Sequence, residues 1–103
     1  MTIQVANVTS AGNIVYTSSG NTAITFLSLC NYAAGNVTAN VYVVPSAGTA
    51  GNTNIILNNL SLAGGDTYQL YAGGEKLLLG PGDFVQIQSN ANTVTSVVSF
   101  TTI

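Results

Sequence analysis

Asp66, Glu75, Asp83, Lys76 and Cys30 are the residues from which catalysis or ligation would have to be built. The chain has no histidine, so neither a Ser-His-Asp nor a Cys-His arrangement can be assembled. One cysteine without histidine leaves no zinc site. Paired carboxylates could in principle work as a glycosidase acid and base. Here, however, Asp66, Glu75 and Asp83 fall in separate turns, each directly after a glycine. Asp66 and Asp83 read as turn caps, because Asp bonds readily to nearby backbone. Calcium would need several clustered oxygen ligands, and no Asp-x-Asp spacing occurs. No phosphate-binding glycine-lysine pattern is present. Cys30 ends the apolar run Phe26-Leu27-Ser28-Leu29-Cys30 and reads as a small buried hydrophobe. A reactive thiol would need a base nearby. The expectation is a non-enzyme with no catalytic residue, no metal ligand and no cofactor.

Charge is the second constraint. Only 4% of the 103 residues are charged and the net charge is −2, whereas about a quarter is usual. With Lys76 as the one cation, binding to a phosphate backbone is excluded. A chain of this mass should expose roughly 5,400 Å². That surface has to be polar through Asn, Gln, Ser and Thr, whose hydrogen bonds depend little on salt. Few charges also mean little repulsion between copies, which suits a surface covered by a partner. Hydrophobic residues make up 47%, enough for one core and too many for a disordered chain. No apolar run approaches the roughly 18 residues of a membrane span. Met1-Thr2-Ile3-Gln4 lacks the basic start of a signal peptide. Neither nucleic acid nor membrane is expected as a partner.

The elements that must position these residues are strands. In 37–44, Val37, Ala39, Val41 and Val43 alternate onto one face, and Phe84-Val85-Gln86-Ile87-Gln88 repeats the pattern. Further strands are expected at 3–9, 13–17, 22–31, 53–58, 67–71, 75–79 and 93–102, all rich in Val, Ile, Thr and Tyr. Turns fall at Gly12-Asn13, Gly35-Asn36, Gly51-Asn52, Gly65-Asp66, Gly74-Glu75 and Gly82-Asp83, with glycine supplying positive φ. About seven to nine short strands imply an all-β, antiparallel two-sheet sandwich over 1–103, with jelly-roll and immunoglobulin-like connections both open. Pro45 should end its strand, and 45–53 is the longest clear loop. Residues 1–12 are read as an N-terminal arm able to pair with a neighbouring sheet edge. Tyr16, Tyr32, Tyr42, Tyr68 and Tyr71 read first as half-buried strand residues, then as interface anchors or sugar platforms.

The order of segments resembles a family of small β-sandwich structural proteins of phage virions, many from tailed phages of aquatic bacteria. It is carried by Val15-Tyr16-Thr17, Leu27-Ser28-Leu29-Cys30-Asn31, Val41-Tyr42-Val43-Val44-Pro45-Ser46-Ala47-Gly48, Asn54-Ile55-Ile56-Leu57 and Leu79-Gly80-Pro81-Gly82-Asp83. It covers roughly residues 14–100, and Val-Tyr-Val-Val-Pro is its most specific part. Family members often carry more charge in the late strands, where this chain has Gln86 and Gln88. The resemblance implies a capsid decoration (cement) protein, or a tail-associated one, located in a virion assembled in a bacterial cytoplasm. Its implied partners are the major capsid protein or other virion proteins, and further copies of itself, a trimer suiting a shell's local threefold positions. Contact is expected through the arm (Thr2, Ile3, Gln4 and Val5) and the loop 45–52 (Pro45, Ser46, Thr49 and Asn52), and deleting 1–8 should abolish shell binding while leaving the sandwich folded. A tail, baseplate or fibre module is the alternative. A carbohydrate-binding module is a third reading, against which the lack of tryptophan counts.

Overall fold

The computed structural model describes residues 2–70 and 76–103. Within them lie nine strands and no helix: β1 Thr2–Val8, β2 Asn13–Thr17, β3 Thr22–Asn31, β4 Val37–Val44, β5 Ile55–Leu62, β6 Thr67–Leu70, β7 Leu77–Leu79, β8 Phe84–Ser89 and β9 Val94–Thr102. One sheet runs β1-β9-β3-β6, with β7 also pairing to β3, and the other runs β2-β8-β4-β5. All pairings are antiparallel, and the two sheets pack face to face around one core. The fold is an antiparallel β-sandwich. Its surface of 5212 Å² is close to the area expected from mass.

Alternation explains which residues are inside. Along β4 the buried Val37, Ala39 and Val41 face the core, while Thr38 and Asn40 face out. Val94 and Val98 of β9 and Leu27 and Leu29 of β3 do the same for the other sheet. The expected strands 13–17, 22–31 and 37–44 are found with those limits. The fifth differs, running to Leu62 instead of ending at 58. Asn59 takes φ 53 and the pairing with β4 shifts register nearby, so the strand passes through a bulge and continues. Tyr71, Glu75 and the Gly74-Glu75 turn lie outside the described residues. Positive φ is found at Gly12, Gly65 and Gly82 but not at Gly35 or Gly51, so the last two turns do not depend on glycine's left-handed freedom.

The first dozen residues, read as an arm, are placed in the sandwich. β1 pairs with β9 in unbroken register from Thr2–Phe100 to Val8–Val94. Val8 is fully buried in the core. Deleting 1–8 would therefore remove core surface and uncover β9, and does not separate binding from folding.

One buried amide ties the two sheets at an end of the sandwich. Asn31, at the end of β3, is 0% exposed. Its Nδ2 donates to the carbonyls of Gly35 at 2.7 Å and Leu62 at 3.1 Å. Its Oδ1 accepts from Ala33 N at 3.2 Å and Thr93 Oγ1 at 3.0 Å. Its backbone N–H donates to Asp66 O at 3.0 Å, and its carbonyl accepts from Gly65 N at 2.9 Å. The neighbouring turn packs so closely that a Cβ on Gly64 would run into the Ala34 carbonyl. Asn31→Ala would strand several buried groups, each costing about 1–3 kcal/mol. The expected loss is about 2–4 kcal/mol, a fall in Tm of roughly 10–25 °C by calorimetry. Asn36→Ala, which removes an exposed 3.3 Å bond to Gly64 N, should cost under about 1 kcal/mol.

Candidate functional site

With 4% of residues charged, most of the surface is neutral. The outer face of the five-stranded sheet is built in cross-strand rows. Ile3, Ser99 and Phe26 form one, Val5, Val97, Ser28 and Gln69 the next, and Asn7, Thr95, Cys30 and Thr67 a third. Leu78 projects from β7 on the same face, opposite Ala23. Ile3, Val5 and Leu78 are 65%, 68% and 67% exposed. A shallow groove of about 470 Å³ crosses β1 and β9, lined by Val5, Ala6, Asn7, Thr95, Ser96 and Val97. None of the residues in these rows carries a charge. Cys30 is half-buried here, on the outward side of β3, not in the core where the sequence reading puts it.

The outer face of the four-stranded sheet is dominated by amides. A groove of about 220 Å³ is lined by Thr38, Asn40, Asn59, Gln88, Ser89 and Asn90. Many of its polar atoms already serve the fold. Asn40 Oδ1 accepts from Asn59 N at 2.7 Å, Asn90 Oδ1 from Thr38 N at 3.0 Å, and Gln88 Nε2 donates to Ser10 O at 2.9 Å. No aromatic ring lines the groove. Tyr42 stands beside it, its hydroxyl accepting from Asn40 Nδ2 at 3.3 Å, but it is buried, as is Tyr16. Tyr32 is exposed just after β3 and Tyr68 on β6. The exposed tyrosines among the described residues thus lie off this sheet and offer no stacking face beside these amides.

The two expected contact regions belong to different sheets. Thr2, Ile3, Gln4 and Val5 are all exposed along β1, at the edge of the five-stranded sheet. Pro45, Ser46, Thr49 and Asn52 are exposed in the loop after β4, in the other sheet. That loop is braced from within. Asn54 Nδ2 donates to Thr49 O at 2.9 Å and its Oδ1 accepts from Gly51 N at 3.0 Å, while Ala47 adopts φ 66.

Asp83 fixes the loop from outside. Its Oδ2 accepts from Gly80 N at 2.9 Å, closing its own turn, and its Oδ1 accepts from Ser46 N at 2.9 Å. The turn cap was legible in sequence; the reach to Ser46 across 37 positions had no local signal. Leu78 was also missed, although period-2 alternation in Leu77-Leu78-Leu79 points the middle residue out. Asp66 and Asp83 lie near opposite ends of β3, by Asn31 and Ser18 respectively. Ten strand residues span roughly 30 Å, well beyond the separation of a glycosidase pair. Among the described residues no three His, Cys, Asp or Glu side chains group as metal ligands would, and no helix is long and apolar enough to cross a membrane. Comparison with protein-family models, with curated proteins and with solved structures finds no match to this chain.

Asp83→Ala should cost about 1–2 kcal/mol, since it strands two backbone donors that are only partly shielded from water. Amide exchange should rise at Ser46 and Gly80 while the β4 and β8 amides keep their protection. Asp83→Asn, which retains one acceptor oxygen, should lie between wild type and the alanine variant.

Proposed function

We propose that this chain is a non-enzymatic structural subunit of a bacteriophage virion, a decoration (cement) protein that stabilises the head through repeated neutral contacts. The observation that carries the reading is a sheet face whose described cross-strand rows hold no charged residue, with Ile3, Val5 and Leu78 each about two-thirds exposed. A free monomer gains nothing from such a face, whereas a protein held against neighbours does. The segment order around Val41-Tyr42-Val43-Val44-Pro45 supports the same reading. Each copy would bury on the order of 800 Å² against the major capsid protein or other virion proteins, and repetition over a shell multiplies modest contacts by avidity. The same body would serve in a tail, baseplate or fibre, and copy number separates the two.

Quantitative mass spectrometry of the purified parent virion should find this chain at a ratio to the major capsid protein near one or a simple fraction of it. A few copies per particle would transfer it to the tail, and absence from particles would end the virion reading. Because the contacts are neutral, washing particles in about 1 M salt, where the Debye length is about 3 Å, should leave the protein bound. Release by salt would show that the contacts are ionic after all.

A further inference from the structure

Every sheet edge exposes unpaired backbone groups, and proteins usually blunt such edges with bulges, short strands or charge. Three other strands at the margins of this sandwich are blunted. β2 is bulged between Ile14 and Tyr16, β5 shifts register twice against β4, and β7 has three residues. β1 has no such device. It runs seven residues in unbroken register with β9 and contains no charged side chain. Its inner side is held in place, because Gln4 Nε2 donates to Val15 O of β2 at 2.8 Å.

The geometry points to pairing of two copies of this chain, β1 against β1 in antiparallel register, giving one continuous sheet across a twofold axis. A twofold interface sets each residue near the axis against its own copy or its close neighbours, so any charge there would meet itself. β1 avoids that conflict. Centring the pair on Gln4 places Ile3 of each copy opposite Val5 of the other. The two exposed apolar side chains of each strand then cover one another on the outer face, as cross-strand pairs do within a sheet. Centring on Val5 would instead set Ile3 against Asn7 and leave apolar surface wet. The rows Phe26–Ser99–Ile3 and Ser28–Val97–Val5 would thus join across the axis. This twofold pair differs from the trimer expected from sequence, and it does not depend on the virion reading.

The test is sedimentation equilibrium of the purified chain with two exposed-site variants. Wild type should dimerise with a dissociation constant in roughly the micromolar range. Val5→Lys, at a 68% exposed position, should keep the wild-type circular dichroism and Tm of the monomer yet weaken the dimer at least about tenfold. Leu78→Lys, equally exposed on the same face but away from β1, should leave the dimer intact. Amide exchange should show β1 protection that grows with protein concentration. A wild type that stays monomeric up to about 1 mM, a trimer, or equal effects of the two lysines would overturn the proposal. So would β1 protection that appears only on virions, which would assign the edge to a strand of another protein while leaving the virion reading standing.

Discussion

The sandwich depends on one buried side chain at the junction of its sheets. Asn31 belongs to β3 in the five-stranded sheet, yet its amide nitrogen holds the carbonyl of Leu62 at the end of β5 in the other. An amide suits this place because it offers donors and an acceptor from one neutral group. An aspartate would present only acceptors to carbonyl oxygens, and a leucine would leave the carbonyls of Gly35 and Leu62, the Ala33 N–H and the Thr93 hydroxyl to find other partners. With Asn31 satisfied, the turns 32–36 and 63–66 and the start of β9 are fixed together. Asp83 serves the opposite end by joining the turn at Gly80 to the loop at Ser46.

The same economy explains how a chain with so little charge folds to a defined surface. Its asparagines are only partly solvating groups. Asn13 accepts from Thr9 N, Asn92 from Ser10 N and Asn90 from Thr38 N. Each closes a backbone donor that would otherwise need water or a longer strand. The amide content that makes the surface neutral is therefore also what stabilises the loops. The cost falls on the β1–β9 face, where the rows of Ile3, Val5 and Val97 hold no charged residue to discourage other molecules.

Much of the fold was legible from two kinds of strand pattern. β4 places Val37, Ala39, Val41 and Val43 at alternate positions and ends before Pro45, while β3 is a continuous, mostly apolar run between turn segments that hold Gly20 and Gly35. β5 was expected to end at 58, where Asn58-Asn59 interrupts the apolar residues, and only tertiary pairing with β4 shows that the chain bulges there and resumes. Strand order was not legible, since alternation reports which face a residue takes and nothing about its neighbour across the sheet. For the same reason Ile3 and Val5 were expected in a free arm. Their role as the margin of a sheet follows from pairing with residues more than ninety positions away.

The placement of β9 between β1 and β3 has a kinetic consequence. Thr2 meets Phe100 and Thr22 meets Thr102, so the five-stranded sheet cannot close until residues 94–102 have been synthesised and docked. Topologies dominated by such distant pairings fold on timescales of about milliseconds to seconds. During that interval β1 and β3 both present bare, uncharged margins. The chain therefore passes through a period in which it is most adhesive before it has its final shape, and docking of β9 ends that period for β3 while leaving one side of β1 open.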